Sequence, residues 1–301
     1  MADTKARAST SEIFKYMKKV SKDIEAKYDC EVLFVGLYGS QNYNLADEQS
    51  DIDLKVIILP KLKDIVARKK ISTTIDTELG QVDVKDLLTY YEVVKKGNFN
   101  FLEPFYSDYK IGDKELINLF LDLKVNPKSI LGAMLEKEKA LDHEYPSKTE
   151  EFKKWGFDPK QLHHIVRLLH VLVVNNGCPF IWHLGYSQEF LMDLKRNRRN
   201  WTITLAKSTA AESIQEAREI LNTLPPFEQV DISEKFDSYL LTKVQANLIE
   251  SISKNKGDAF IRQHRTFNGE IPSSDLKKFK SLENLNGEDI SYIVYEFLTI
   301  L

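Results

Sequence analysis

The segment GLYGSQNYNLADEQSDIDLKV, from Gly36 to Val56, decides how the rest of the chain is read. Glu31 to Leu37 is a short apolar run of the kind that forms a buried strand, and Asp53 to Pro60 is a second. Between them, Tyr38 to Asp51 is polar. On a strand, residues two apart point to the same side, so Asp51 and Asp53 bring two carboxylates to one locus. Like charges held that close repel unless a cation lies between them, and hard oxygen ligands select Mg²⁺ or Mn²⁺. Gly39-Ser40 supplies a complementary half. A glycine turn leading into a helix lets backbone N–H groups approach a phosphate, the helix N-terminus favours negative charge, and the Ser40 hydroxyl adds a donor. Together these parts describe a triphosphate held at one end by amides and at the other by a metal on two aspartates, the apparatus of phosphoryl or nucleotidyl transfer.

Outward from this segment, Ile13, Phe14, Met17, Val20 and Ile24 recur at helical spacing behind Ser9, Thr10 and Ser11, which predicts an amphipathic helix from Ser9 to about Lys27. Downstream, Lys61 to Lys70 reads as a short helix and Ile71 to Glu78 as a strand. Gln81-Val82-Asp83-Val84-Lys85 alternates at period two, with Gln81, Asp83 and Lys85 on one face. Asp83 is therefore the candidate for a third carboxylate, one that would complete a two-ion site or deprotonate an attacking hydroxyl. Asp86 competes, but it stands where the next helix begins and is explained as its N-cap. Beyond residue 115, helical periodicity dominates: 116–123, 128–141, 159–175, 188–195, 209–221, 234–252 and 289–300. The expected class is α/β plus all-α, with a small mixed-sheet catalytic domain over 1–115 and a helical domain for nucleotide and acceptor over 116–301.

The order GS, a polar loop, SDID before an apolar strand, and a later Asp on another strand resembles the DNA polymerase beta nucleotidyltransferase superfamily. Within it the chain looks most like the RNA-repair-pathway DNA polymerase beta family of nucleotidyltransferases. The finer likeness rests on Gly39-Ser40-Gln41-Asn42-Tyr43-Asn44-Leu45 before Ser50-Asp51-Ile52-Asp53, on Lys96-Gly97-Asn98 followed by Phe101-Leu102-Glu103, and on His163 to Leu169. It spans residues 30–200, strongly in the first motif and loosely beyond it. The chain departs from the family at Tyr43-Asn44, where Tyr-Gly is common, and after Gly97-Asn98, where a proline is common. The resemblance implies that Gly39, Ser40 and Ser50 bind the triphosphate, that Asp51, Asp53 and Asp83 are catalytic metal ligands for two Mg²⁺ or Mn²⁺ ions, and that a nucleoside monophosphate passes to an acceptor hydroxyl with release of pyrophosphate.

Several other residues have two readings each. Asn98 and Glu103 fit either a loop beside the nucleotide or a turn residue and a surface carboxylate. His163, Arg167 and His170 form one polar stripe on a helix, which either faces a cleft, with Arg167 reaching phosphate in bidentate fashion, or faces solvent. Lys195-Arg196-Asn197-Arg198-Arg199 with Trp201 is the densest basic cluster. It fits either a nucleic-acid acceptor, tracked along its backbone, or a solvated face. Arg262, His264 and Arg265 form a smaller basic group, and Trp182 and His183 read as loop packing.

Composition bounds the partners. The 301 residues carry 42 basic and 45 acidic side chains, a formal net charge of -3, which argues against a chain coated with positive charge. With 43% apolar residues the chain can bury a substantial core. Cys30 and Cys178 are too few for a disulfide framework, the N-terminus is polar, and no apolar run nears the about 20 residues of a membrane span. A cytoplasmic nucleotidyltransferase away from the membrane is the expectation. Its acceptor is either the 3′ end of a nucleic acid, as in RNA repair or template-independent synthesis, or a partner protein, as in antitoxin-like relatives. The contrasting reading is a silent nucleotide-binding module.

Overall fold

The first helix is fixed by its own ends. In a computed structural model describing residues 8–47, 50–145, 149–175 and 188–254, α1 runs Thr10–Tyr28 behind a reciprocal capping box. The Ser9 hydroxyl accepts the Glu12 N–H, and the Glu12 carboxylate accepts the Ser9 N–H. Asp29, in the left-handed region at φ 50°, ends it. Ile13, Met17, Val20 and Ile24 then lie on one buried face, as their spacing predicts.

That face packs on a five-stranded mixed sheet. The strands are β1 (Glu31–Tyr38), β2 (Asp53–Leu59), β3 (Ser72–Asp76), β4 (Gln81–Asp86) and the short β5 (Lys110–Gly112). Their order is β3-β4-β2-β1-β5, with β2 and β4 parallel and the other pairs antiparallel. Val35, Leu37, Leu54, Val56, Ile58, Val82 and Val84 meet α1 in one apolar cluster. Alternation therefore sends Tyr38, Asp53, Lys55, Asp83 and Lys85 to the opposite face. There α3 (Leu87–Val94) and α4 (Phe99–Tyr106) pack, with Phe105 stacked on Phe34 at 4.2 Å between ring centres. Asp86 caps α3 as expected, accepting the Thr89 N–H at 2.8 Å, and it also accepts the Ile71 N–H at 2.8 Å.

The remainder is helical: α5 (Lys114–Leu121), α6 (Pro127–Leu141), α7 (Thr149–Trp155), α8 (Pro159–Asn175), α9 (Gln188–Lys195) and α10 (Ile203–Thr223). α8 is the centre of this part, packed by α6, α9 and α10. Its core includes Leu162, Ile165, Leu168, Leu169 and Leu172, and it also takes in Tyr43 and Leu45 from the segment between β1 and β2. The fold class is thus the expected one, a small mixed α/β part followed by helices. Two elements have weak sequence signals: β5 has only three residues, and α4 carries Pro104 inside it.

The chain divides into two compact units. Among the described residues, one holds those up to Pro60 and from Lys70 to Ile232, and the other holds Lys61–Lys69 and Ser233–Lys254. α2 (Leu62–Val66) and α11 (Ser233–Lys254) belong to the second. No helix among the described residues is long and apolar enough to cross a membrane. Cys178, Trp182, His183, Arg262, His264, Arg265 and the helix expected over 289–300 lie outside the described residues.

Candidate functional site

The site lies at the end of β1 and the start of β2, where Tyr38 pairs with Asp53. Gly39 follows at φ +89°, a region open to glycine at little cost. A Cβ placed there would lie 3.9 Å from Asp53 Oδ2, so the turn and this carboxylate are neighbours. From Gly39 onward the chain winds through successive turns. Asn42, Tyr43 and Asn44 N–H groups donate to Gly39, Ser40 and Gln41 carbonyls at 3.1, 3.3 and 3.3 Å. The expected helix after Gly39-Ser40 is therefore only this stretch of turns, because Tyr43 and Leu45 are drawn into the helical core. Among the described residues, the Ser40 N–H and hydroxyl make no hydrogen bond.

Asp51 is exposed just before β2, and Asp53 is partly buried. Asp53 Oδ1 accepts the Gln81 N–H at 2.9 Å. Burial raises the Asp53 carboxyl above the ordinary value, the Gln81 bond opposes this, and the Asp51 charge adds to the rise. Asp51 lies outside β2, which begins at Asp53, so the pair is not two residues of one strand as the spacing predicts. Asp83 is in a different situation. The parallel register sets it directly opposite Lys55, whose ammonium lies 2.8 Å from one carboxylate oxygen, while Lys85 lies 3.2 Å from the other. Lys55 is buried between the rings of Tyr38 and Phe101, at 4.4 and 4.2 Å.

No group of three or more Asp, Glu, His or Cys able to hold a metal occurs among the described residues. The Asp51–Asp53 pair still fits Mg²⁺ or Mn²⁺, because such ions are commonly held by one or two carboxylates together with substrate phosphates and water. Asp53 Oδ2, which receives no hydrogen bond among the described residues, faces Gly39.

One helix of the following part adds positive charge near Asp53. Lys160 on α8 acts electrostatically on Asp53, and it repels Lys137 on α6 and Lys195 on α9. The ammonium groups of Lys137 and Lys160 form no ion pair among the described residues. Lys160 reads from sequence as an ordinary surface lysine on an amphipathic helix, and its effect on Asp53 comes from a distant part of the chain.

The stripe on α8 faces inward. His163 and Arg167 are buried, and His163 Nδ1 donates to the Leu191 carbonyl at 2.8 Å. Burial, reinforced by Arg167, pushes His163 down to about 3, and burial pushes His170 down to about 4, so both are neutral at pH 7. Arg167 lies beneath the turn with its guanidinium carbon 4.3 Å from the Tyr43 ring centre. Its Nε and one terminal nitrogen are fully buried without a hydrogen-bond partner.

The basic cluster is divided. Lys195 is buried and donates to the Leu45 carbonyl at 2.9 Å and to the Ser50 hydroxyl at 2.8 Å. Burial pushes Lys195 down to about 8 although Asp47 pulls the other way. Arg196 grips Asp47 through two N–H groups at 2.7 and 2.6 Å. Burial opposes ionisation of Asp47, but Arg196, Ser50 and Lys195 hold its carboxyl well below the ordinary range. The Ser50 hydroxyl also donates to Asp47 at 2.8 Å, so Ser50 is committed to the loop. Gln188 adds hydrogen bonds to Asn44. Arg198 and Arg199 are more than half exposed and share Asp193 at 3.9 and 2.9 Å. Asn98 caps α4 through the Asn100 N–H, and Glu103 is buried.

No protein-family model and no curated protein matches the chain. Among solved structures it is similar to a nucleotidyltransferase-like protein from Exiguobacterium sibiricum 255-15, at 12% identity over 83% of this chain and 91% of that chain, with a TM-score of 0.25.

Proposed function

We propose that the chain is a metal-dependent nucleotidyltransferase that moves a nucleoside monophosphate from a nucleoside triphosphate to a hydroxyl acceptor. The observation that carries this reading is the apposition of the Gly39-Ser40 turn and the Asp53 carboxylate, with Asp51 beside it. Ser40 presents an N–H and a hydroxyl to phosphate oxygens, and Lys160 adds cationic charge from α8. Asp51 and Asp53 would hold Mg²⁺ or Mn²⁺, which would supply charge neutralisation at the phosphates. The acceptor oxygen forms a bond to the α-phosphorus as the bond from that phosphorus to the α,β-bridging oxygen breaks, and pyrophosphate leaves with the electron pair. The hydroxyl proton goes to a carboxylate. Asp83 would accept that proton, or would hold a second ion, only by giving up its contacts with Lys55 and Lys85.

A nucleic-acid 3′ end remains the first acceptor, with Arg198 and Arg199 the exposed part of the basic cluster. A protein acceptor is the second reading, favoured by the commitment of Lys195 and Arg196 to the loop. The test incubates full-length protein with each labelled nucleoside triphosphate and Mg²⁺ or Mn²⁺, with and without RNA, DNA or a protein lysate. Label moving into lengthened nucleic acid supports the first reading, and label on a protein band supports the second. No transfer or pyrophosphate release under any condition sinks the assignment and leaves the silent module.

A further inference from the structure

Glu103 is a carboxylate with no place in the chemistry above, yet it is only 2% exposed. Burial raises its carboxyl above the ordinary value, while the Arg167 charge, the Gly39 N–H and Lys55 pull it down. A buried carboxylate is costly unless its lone pairs are used. Glu103 Oε1 accepts the Gly39 N–H at 2.8 Å, and the Asn42 side chain nearby also favours the charged form. Asn42 is itself pinned, donating to the Leu37 carbonyl at 2.9 Å and accepting from the Ser107 hydroxyl at 2.7 Å.

The position of Glu103 follows from its neighbour. A Cβ on Gly36 would come within 2.7 Å of Pro104 Cβ, so only glycine at 36 lets α4 lie this close to β1. That contact places the residue before Pro104 under the end of β1. With the Gly39 N–H drawn inward and its φ at +89°, the next peptide is turned differently, and the Ser40 N–H and hydroxyl are left for other partners. Arg167, stacked on Tyr43, supplies the compensating charge below.

We infer that Glu103 is the positioning residue of the Gly39-Ser40 turn, holding the Gly39 amide inward so that Ser40 presents its donors to the polyphosphate of a nucleoside triphosphate. This rests on the proposed nucleotidyltransferase reading. It separates the duties of the two amides: Gly39 is an anchor, and Ser40 is the phosphate donor.

The test uses the full chain and two variants. Glu103→Gln keeps the shape and one acceptor but removes the charge. Glu103→Leu combined with Arg167→Met removes both buried charges together, a change that well-packed apolar groups can tolerate where a single deletion leaves a stranded cation. Gly39 amide exchange is read by NMR, binding of a non-hydrolysable nucleoside triphosphate with Mg²⁺ by calorimetry, and turnover by pyrophosphate release. The expected result is faster Gly39 exchange, with unchanged exchange at Val56, and a roughly tenfold or larger fall in kcat/KM carried mainly by KM. A role confined to stability would lower the melting temperature and leave KM alone. Folded variants with wild-type triphosphate affinity would overturn the inference while the functional reading stands. Failure of the wild-type protein to bind triphosphate removes both the functional reading and this ligand, and the Gly39 exchange rates then show whether Glu103 anchors the turn.

Discussion

The two faces of β2 and β4 are built from alternate residues of the same few turns of sequence, yet they do opposite things. Toward α1 they present Leu54, Val56, Ile58, Val82 and Val84, all buried and apolar. Away from it they present Asp53, Lys55, Asp83 and Lys85. The first face is a packing surface whose contribution scales with area removed from water. The second holds four charges on a mostly buried surface, an arrangement that costs stability unless every charge is compensated. A period of two therefore lets neighbouring residues be tuned independently, one for the fold and the next for chemistry.

The largest effect expected is at Asp53. Asp53→Asn keeps the Oδ1 acceptor for the Gln81 N–H but removes a metal-binding charge. Transfer should fall on the order of 10³-fold, the equivalent of several kcal/mol of lost phosphate stabilisation, with the melting temperature held or raised. Leu54→Ala, one residue on, should do the reverse. It empties part of a fully buried site, costs about 2–5 kcal/mol in denaturant unfolding, and leaves the specific activity of the folded fraction intact. If both substitutions reduced activity and stability in parallel, the two faces would not be independent.

Within the charged face, Lys55 tests whether Asp83 is compensated or poised. Lys55→Met strands Asp83 with Lys85 alone and should cost about 3 kcal/mol, whereas Lys55→Met with Asp83→Leu should recover most of that loss. A single Lys55→Met variant as stable as wild type would show that the pair does not hold the face together.

How much of this was legible depends on how local each signal is. The alternation of β4, the cap at Asp86 and the face of α1 are set by residues a few positions apart, and the sequence reads them directly. The pairing of Lys55 with Asp83 depends on the register of two parallel strands, which local pattern does not encode. Lys195 and Arg196 read as surface charge because their partners come from far away in the chain; the Leu45 carbonyl is 150 residues from Lys195. The same holds for Glu103, a lone carboxylate in an apolar helix, whose one local hint is the flanking Pro104 against a glycine far upstream. Charge that looks free in sequence is spent here on shaping the loop between Ser40 and Asp51.

The smallest effect is in the pH dependence of stability, where one aspartate within that loop and one just beyond it should respond with opposite sign. Burial and Asp51 raise the Asp53 carboxyl, so the folded chain binds this proton more tightly than the unfolded chain does. Its contribution is then present below the ordinary carboxyl range and is lost as pH rises through the raised value. Relative to wild type, Asp53→Asn should gain melting temperature as pH rises from about 4 toward neutrality. Asp47 is held low by Arg196, Ser50 and Lys195, so its contribution is present above the ordinary range and lost as pH falls. Asp47→Asn should therefore be destabilised at neutral pH, with a deficit that shrinks on acidification. Melting curves of both variants over the same acidic series give the comparison. Slopes of the same sign would mean that the Asp53 charge is compensated by the fold as fully as that of Asp47, leaving no excess negative charge to attract a cation.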